Sequence, residues 1–279
     1  MANPLNKKLK LFILIGLCVV LLGVAGFCAS KIISTLIGYK QAEKSYDDLA
    51  NQYVTVAASP SPSPTAAPSE SAAPVEETPS TGNGYDPDVS PINVDFDGLL
   101  QQSRDFAAWI FNPNTVINYP VAYTDNNDYY LDHNITDGSG NASGTLFMDC
   151  RGKSDFSDMN TIIYGHNMKN GSMFASLHSY GEEGYYEAHP FMFISTPEKD
   201  YRLDLIAGFV TEPTSFAYIR NFDSDVQFLG YIENIKSLSD FDSDVEVAAE
   251  DHVVSLSTCT YEVDDGRYVV VGKLVELEG

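Results

Sequence analysis

The sequence predicts a mostly β-structured domain, either a β-barrel or a β-sandwich, with a small number of peripheral helices. Two observations lead to this prediction. From Tyr119 onward, short runs rich in β-branched and aromatic residues follow one another, and clusters of Asn, Asp, Gly and Ser separate them. One segment in this region, Asp225–Leu238, instead has apolar residues at helical spacing. The predicted strands include residues 145–148, 161–164, 191–195, 201–210, 253–256 and 268–276.

A further helix is predicted over residues 97–110, directly before the β-rich region. Its apolar residues, among them Leu99 and Phe106, recur at the spacing of an amphipathic helix. Asp95 or Asp97 is placed to cap its N-terminus, because a carboxylate accepts hydrogen bonds from the first free backbone N–H groups.

The sequence FDSDV occurs twice, at residues 222–226 and 241–245. A repeated acidic pattern can indicate a calcium-binding loop, but neither copy has the Gly and the distal Glu of an EF-hand loop. Capping of the following helix by Asp223 or Ser224 accounts for the first copy. The sequence therefore predicts no metal site.

Residues 11–29 form an uninterrupted stretch without charge. As a helix it would span about 28 Å, close to the hydrocarbon thickness of a bilayer. Lys7, Lys8 and Lys10 precede it, which predicts a cytoplasmic N-terminus and an extracellular remainder. A cleaved signal peptide is the alternative, but the stretch is long for one and the sequence after Lys31 is a poor cleavage site. We therefore expect a retained single-pass anchor in the cell membrane.

The segment from Ser59 to Gly84 is rich in Pro, Ser, Thr and Ala and lacks apolar periodicity, so it cannot form a core. Fully extended at about 3.1 Å per residue, it would reach roughly 80 Å. We therefore expect a folded domain held well away from the membrane. The predicted division is a cytoplasmic N-terminus (1–10), a transmembrane anchor (11–30), a juxtamembrane segment (31–56), a linker (57–90) and a folded domain (91–279).

The composition excludes several classes of protein. With 39 acidic and 16 basic residues the formal net charge is −23, and such a surface repels nucleic-acid phosphates. A hydrophobic content of 44% excludes global disorder. Four cysteines are too few for a disulfide-dense scaffold. Cys150 and Cys259 lie outside the apolar stretch, and they either pair or provide one reactive and one buried thiol.

Three residues are candidates for a chemical site. Cys259 ends a β-run, where a strand can fix a thiol at the edge of a groove. His166 also follows a β-run, and a thiol–imidazole pair supplies a thiolate and a proton donor. Arg267 opens the last strand, and a hairpin would bring it beside Cys259, where a guanidinium can stabilise a thiolate or an oxyanion. A surface ion pair with the preceding acidic turn is the alternative for Arg267. The remaining histidines are expected to be surface residues: His133, His178, His189 and His252.

These residues resemble the signatures of class B sortases. Residues 256–259 (LSTC) are similar to the Thr-Leu-x-Thr-Cys signature, with Ser255 in place of the first Thr. Residues 164–168 (YGHNM) and 171–174 (GSMF) resemble the histidine motif, and Arg267 fits the family's arginine. The resemblance covers about residues 95–276 in a consistent order. It also includes residues 109–110 (WI), 119–121 (YPV), 127–131 (NDYYL) and 144–149 (GTLFMD).

The resemblance implies a sortase-type β-barrel of about eight strands, with an N-terminal helix and an extra helix before the last strands. It implies a cysteine transpeptidase of Gram-positive bacteria that cleaves a C-terminal sorting signal after Thr. The cleaved protein would be joined, through a thioacyl-enzyme, to an amino group of peptidoglycan. Cys259 would be the nucleophile, His166 the proton donor and acceptor, and Arg267 the oxyanion stabiliser. No cofactor is implied.

The resemblance also implies the partners and the substrate groove. The partners would be secreted proteins bearing a C-terminal sorting pentapeptide, often Asn-Pro-x-Thr in type, and a peptidoglycan precursor or cross-bridge amine. By family position, Asn127, Ser257 and Thr258 would bind the peptide. Turn formation and strand hydrogen bonding are the alternative roles for these three.

One departure and several alternatives stay open at the level of sequence. Cys150 stands where the family often has an aromatic residue, and we expect it to be a structural thiol. The alternatives are a pilin-polymerising sortase, a cysteine hydrolase or peptidase, an L,D-transpeptidase, and a non-enzymatic binding module on a stalk. L,D-transpeptidases place Gly before the cysteine and Arg close after it, whereas this chain has Thr258 and the distant Arg267.

Overall fold

The computed structural model describes residues 7–57, 84–260 and 265–278. The helices are α1 (Lys7–Tyr53), α2 (Phe96–Gln102), α3 (Tyr185–Ala188) and α4 (Asp225–Leu238), and the 3₁₀ helices are Tyr129–Leu131, Ala175–Gly181 and Phe216–Tyr218. The strands are β1 (Val54–Val56), β2 (Ile92–Val94), β3 (Phe106–Phe111), β4 (Asn118–Ala122), β5 (Leu146–Met148), β6 (Asn160–Tyr164), β7 (Phe191–Ser195), β8 (Asp200–Thr211), β9 (His252–Cys259) and β10 (Arg267–Glu276).

Eight of these strands close into one barrel in the order β10, β8, β7, β3, β4, β5, β6, β9. Two neighbouring pairs, β4 with β5 and β6 with β9, are parallel, and the other pairs are antiparallel. The prediction of a β-barrel of about eight strands is confirmed, and the sandwich alternative is excluded. Closure also pairs both edges of every barrel strand, which removes exposed edges that could pair with other chains.

Apolar side chains cover both faces of the barrel wall. One cluster includes Ile110, Val121, Ile163 and Leu256, each of which is completely buried. A second cluster packs α2 and the end of α1 against β3 and β7, and a third lies between α4 and strands β8 to β10. Burial on both faces explains why several strands read as continuous apolar runs rather than as alternating patterns.

Helix α4 has the bounds that the sequence predicted, Asp225–Leu238. Its buried face, which includes Phe228, Tyr231 and Ile235, packs against the outside of the barrel. Ser224 is the N-cap, and its hydroxyl accepts a hydrogen bond from the backbone N–H of Gln227. Helix capping thus accounts for the first FDSDV copy, as expected.

The predicted helix over residues 97–110 is wrong in its second half. Asp95 caps α2 through the N–H of Gly98, but the helix ends at Gln102 and Ser103 is extended. The following residues form β3, in which all six side chains are buried. Both faces of β3 are covered by core clusters, so its unbroken apolar run carries no alternation that would distinguish a strand from a helix.

Helix α1 is one continuous helix of 47 residues. It is the one helix in the described part of the chain that is long and apolar enough to span a membrane. The apolar side chains between Leu11 and Ile37 are exposed, whereas Ala42, Tyr46 and Leu49 are buried against the barrel. The predicted juxtamembrane segment is therefore part of this helix, and its end belongs to the core of the folded domain.

The two ends of the predicted linker lie side by side. Val54 in β1 is paired with Val94 in β2 in an antiparallel ladder, and the N–H of Ala57 donates to the carbonyl of Pro91. The linker therefore does not separate the folded domain from the end of α1, and the distance of the domain from a membrane stays a prediction. Chain on both sides of the linker packs on the same domain, so the linker connects two adjacent strands.

Tyr46 fastens α1 to the barrel. Its hydroxyl donates to the carbonyl of Gly144, accepts from the Asn141 side chain at 3.1 Å, and lies 2.9 Å from the Thr145 hydroxyl. Its ring packs edge-on against Tyr119. Burial raises the pKa of the Tyr46 phenol well above its usual value, so the group stays neutral and able to donate.

Removing this hydroxyl should weaken the attachment of α1. Tyr46→Phe keeps the ring but removes the contacts of the hydroxyl with Gly144, Asn141 and Thr145, and Gly144 keeps only the longer bond from Asn141. We therefore expect a loss of about 2 kcal/mol in the free energy of unfolding. Urea unfolding of the full chain in detergent micelles, followed by the fluorescence of Trp109, measures it. Tyr53→Phe, in which the lost hydroxyl bonds the exposed Gln52, is the matched control. Equal stability of the two variants would contradict the fastening role.

Candidate active site

Strands β6 and β9 bring the candidate thiol and imidazole to the same end of the barrel. The two strands are parallel, with Tyr164 paired to Ser257, and the N–H of Gly165 donates to the carbonyl of Ser257 at 3.0 Å. Cys259 is the last residue of β9, and His166 lies two residues beyond the end of β6. Because parallel strands end at the same edge, both side chains emerge together.

Gly165 permits this close approach of the two elements. A Cβ built at this position would lie 2.4 Å from the Leu146 side chain and 2.6 Å from the ring of Phe174. Both contacts are far shorter than side-chain packing allows, so any larger residue would displace the chain that leads into His166. Glycine is needed here because there is no room for a side chain. Its backbone conformation alone would not require glycine, because it is not in the left-handed region.

Arg267 lies directly opposite Cys259 in the antiparallel ladder between β9 and β10. The predicted pairing of these strands is therefore confirmed, although its turn, residues 261–264, lies outside the described residues. The Arg267 Nη1 donates to the carbonyls of Asp265 at 2.9 Å and Gly266 at 3.0 Å. Its contact with the exposed Asp265 carboxylate is longer, 3.4 Å, so the backbone rather than the ion pair fixes the guanidinium.

A pocket of about 270 Å³ opens at this edge of the barrel, and its walls are mostly apolar. All six residues proposed from the sequence line it. They are joined by an aromatic and aliphatic wall that the sequence did not identify. The six are Asn127, His166, Ser257, Thr258, Cys259 and Arg267, and the wall is formed by Leu131, Phe147, Tyr164, Pro213 and Tyr218.

The thiol and the imidazole are both accessible to a ligand. Cys259 is an exposed free thiol, and Cys150 is also free, so the two are not paired. The Nε2 atom of His166 lies 2.6 Å from the Leu131 carbonyl oxygen. Because a carbonyl only accepts, Nε2 carries a proton while this bond lasts, and Nδ1 is the nitrogen that gains or releases the second one.

Two of the three residues proposed to bind substrate, Asn127 and Ser257, make structural contacts. Asn127 accepts a hydrogen bond from the N–H of Cys150 at 2.8 Å. The Ser257 hydroxyl lies 2.9 Å from that of Tyr218, and the side chains of Ser257 and Thr258 are almost completely buried. Peptide contact by these residues stays a prediction. For Ser257 it requires either that the hydroxyl give up its contact with Tyr218 or that the Ser257 backbone, rather than the side chain, contact the peptide.

Comparison with known proteins agrees with this geometry. A scan against protein-family models finds no match. Sortase B of Listeria monocytogenes, however, is 37% identical over 200 residues, which cover 68% of this chain and 80% of that protein. The chain belongs to the sortase B family.

Solved sortase B structures share the fold. A Bacillus anthracis protein described as similar to sortase B is 38% identical, with a TM-score of 0.60 over 66% of this chain and 83% of that one. A Staphylococcus aureus sortase B–substrate complex is 29% identical, with a TM-score of 0.62 over 66% of this chain and 85% of that one. The protein is therefore a sortase-type enzyme with a sortase B barrel.

Tyr218 is a pocket residue that no pattern in the sequence indicated. It lies in the 3₁₀ helix after β8, and its ring stacks on Tyr164 with centroids 6.2 Å apart. Burial raises the pKa of its phenol, while the Ser257 hydrogen bond and the Arg267 charge oppose the increase. No periodic pattern in the sequence marks this residue.

A buried carboxylate supports the pocket wall from behind. Asp149 accepts hydrogen bonds from the Arg151 guanidinium and, at 3.0 Å, from the Tyr164 hydroxyl. Burial opposes ionisation of Asp149, but the Arg151 side chain and backbone and the Tyr164 hydroxyl overcome it, so the pKa lies well below its usual value. Tyr164 is thereby held in its place in the wall.

Neutralising this carboxylate should cost stability in a pH-dependent way. Asp149→Asn removes the anion that accepts from Arg151 and Tyr164, and because the Arg151 side chain is 60% exposed, we expect a loss of about 2 kcal/mol at pH 7. Since the folded pKa is depressed, the Asp149 contribution is complete above about pH 4 and declines as the pH falls further. Urea unfolding at pH 7 and pH 3 measures both values. The exposed Asp242→Asn is the control, and an Asp149→Asn loss that does not shrink at pH 3 would contradict the assignment.

Proposed function

We propose that this sortase B family member is a membrane-anchored cysteine transpeptidase. It cleaves a C-terminal sorting signal after Thr and joins the cleaved protein to an amino group of peptidoglycan. The observation that carries the proposal is the meeting of Cys259, His166 and Arg267 around one open pocket. These side chains supply a nucleophile, a proton carrier and a cation, the three requirements of acyl transfer.

The first half of the reaction forms a thioester. The Cys259 thiolate attacks the carbonyl carbon of the Thr residue, and an S–C bond forms while the carbonyl oxygen becomes an oxyanion. Arg267, opposite Cys259 in the ladder, stabilises this oxyanion. His166 gives a proton to the departing amine as the C–N bond breaks, which leaves the Thr acyl group on the sulfur.

The second half transfers the acyl group to an amine. The neutral His166 imidazole accepts a proton from the incoming amine, whose nitrogen attacks the thioester carbonyl. Collapse of the tetrahedral intermediate forms the new amide and releases the Cys259 thiolate. The His166–Leu131 bond keeps Nε2 protonated throughout, so Nδ1 is the atom that exchanges the proton.

The pocket and α1 support the partners and the location that we propose. A sorting peptide, often Asn-Pro-x-Thr in type, would occupy the pocket near Asn127, Ser257 and Thr258. The S. aureus relative was solved as a complex with its substrate, which supports binding of such a peptide. The apolar half of α1 would be a single-pass anchor with a cytoplasmic N-terminus and an extracellular catalytic domain.

The thioester intermediate gives the first prediction of this proposal. Incubation with a library of Asn-Pro-x-Thr pentapeptides should yield an acyl-enzyme on Cys259, detectable by mass spectrometry, and candidate amines should convert it to amide products. Cys259→Ala should abolish both, because no other group on the pocket lining is a comparable nucleophile. The matched control, Cys150→Ala, should retain both. Peptide cleavage by Cys259→Ala would refute the thiol mechanism, and release unaffected by any amine would identify a hydrolase instead.

The oxyanion role of Arg267 gives the second prediction. Arg267→Lys keeps the charge but loses the planar fork, so we expect kcat to fall by about a hundredfold. Steady-state cleavage of the best pentapeptide measures it. Arg104→Lys, at an exposed position, is the control and should retain wild-type turnover. An Arg267→Lys enzyme with near-wild-type kcat would remove the oxyanion role.

A further inference from the structure

The backbone carbonyl of Cys259 lies just beyond the end of the β6–β9 ladder. The last ladder bond runs from the N–H of Gly165 to the carbonyl of Ser257. In a parallel pair the next bond would join the carbonyl of Cys259 to the N–H of Asn167. Strand β6 has already ended at Tyr164, so the nucleophile's own carbonyl has no backbone partner on that side.

Two side chains take the place of the missing ladder bond. The Asn167 Nδ2 lies 2.9 Å from the Cys259 carbonyl oxygen, and the His178 Nε2 lies 2.9 Å from the same oxygen. The two nitrogens are 3.1 Å apart. Because a carbonyl oxygen only accepts and has two lone pairs, both nitrogens donate to it, and their mutual contact results from sharing it.

Each donor is fixed by a different part of the fold. Asn167 directly follows His166, so its bond to Cys259 ties the histidine loop to the nucleophile's strand. His178 lies in the 3₁₀ helix Ala175–Gly181, half-buried, with its ring 5.0 Å from that of Tyr268 in β10. The Tyr268 hydroxyl in turn donates to Asp240 at 2.9 Å. The two donors therefore reach the carbonyl from independently supported elements.

We propose that Asn167 and His178 are positioning residues for the nucleophile. Together they replace the ladder beyond β6, fix the Cys259 peptide plane, and so hold the thiol in register with His166. The inference rests on the proposed function, because only a reacting thiol requires such alignment. Displacement of a catalytic group by about 1 Å can cost about a hundredfold in rate, so two hydrogen bonds on this carbonyl are expected to affect kcat.

The hydrogen bonds themselves can be tested without turnover. In full-length protein labelled with [1-¹³C]Cys, four carbonyl signals arise from the four cysteines, and the one lost in Cys259→Ala belongs to Cys259. His178→Phe keeps a ring against Tyr268 but cannot donate, and Asn167→Asp replaces the donor by an acceptor. Both should shift the Cys259 signal. An unchanged Cys259 signal in His178→Phe would overturn the inference, whether or not the protein is a transpeptidase.

The kinetic consequence is tested with the pentapeptide that wild type turns over fastest. His178→Phe and Asn167→Asp should lower kcat tenfold to a hundredfold with KM within about twofold. His178→Gln, which places an amide N–H near the Nε2 position, should recover to within threefold of wild type. If kcat of His178→Gln were as low as that of His178→Phe, or if the variants changed only KM, the positioning role would be contradicted.

A matched control lies at the other end of the same strand. His252 begins β9 and bonds a backbone carbonyl, that of Asp158, at 2.9 Å. His252→Phe removes the same kind of contact and should leave both kcat and the Cys259 signal unchanged. A loss of kcat in His252→Phe equal to that in His178→Phe would attribute the effect to the stability of β9 and overturn the inference.

Discussion

The parallel pairing of β6 with β9 is the constraint on which the active site depends. It is one of only two parallel pairs in the described barrel. Antiparallel neighbours would place the end of one strand beside the start of the other, whereas this pair places the ends of both at one rim. His166 and Cys259 are about ninety residues apart in sequence and meet for this reason. The β9–β10 ladder then adds Arg267 opposite the thiol.

Much of this arrangement could be predicted from local signals. The strands, α4 and the three candidate catalytic side chains each have a pattern that lies within a short stretch of sequence. Even the N-cap of α4, Ser224, could be predicted from the sequence. Segments covered on both faces were not predictable in this way. Strand β3 is apolar throughout, so its residues fit a helical spacing as well as a strand. Tyr218 reaches the pocket through tertiary packing that leaves no periodic pattern in the sequence.

The contacts of Arg267 differ from those of two other arginines of the domain. Arg151 bonds the buried Asp149, and Arg202 bonds Asp204 and Asp88. Arg267 instead makes its close contacts with neutral backbone carbonyls. Its contact with the Asp265 carboxylate is longer than their ion pairs, so its positive charge is less closely paired than theirs, and it lies in a chain with far more acidic than basic residues. The sequence indicated the scarcity of cations, but only the register of β9 and β10 assigns this one to the thiol.

Because α1 is one continuous helix whose end packs against the barrel, its length fixes how the folded domain is rotated about the helix axis relative to the exposed apolar turns. Tyr46 and its neighbours fix the final turns of the helix to the barrel, while the exposed apolar turns belong to the same continuous helix. An α-helix turns about 100° and rises about 1.5 Å per residue. One residue added or removed between Ile37 and Ala42 would therefore rotate the pocket about the helix axis by about 100° relative to the exposed apolar turns. It would shift the pocket along that axis by only about 1.5 Å. The direction in which the pocket faces is thus encoded in the residue count of a segment that never contacts it.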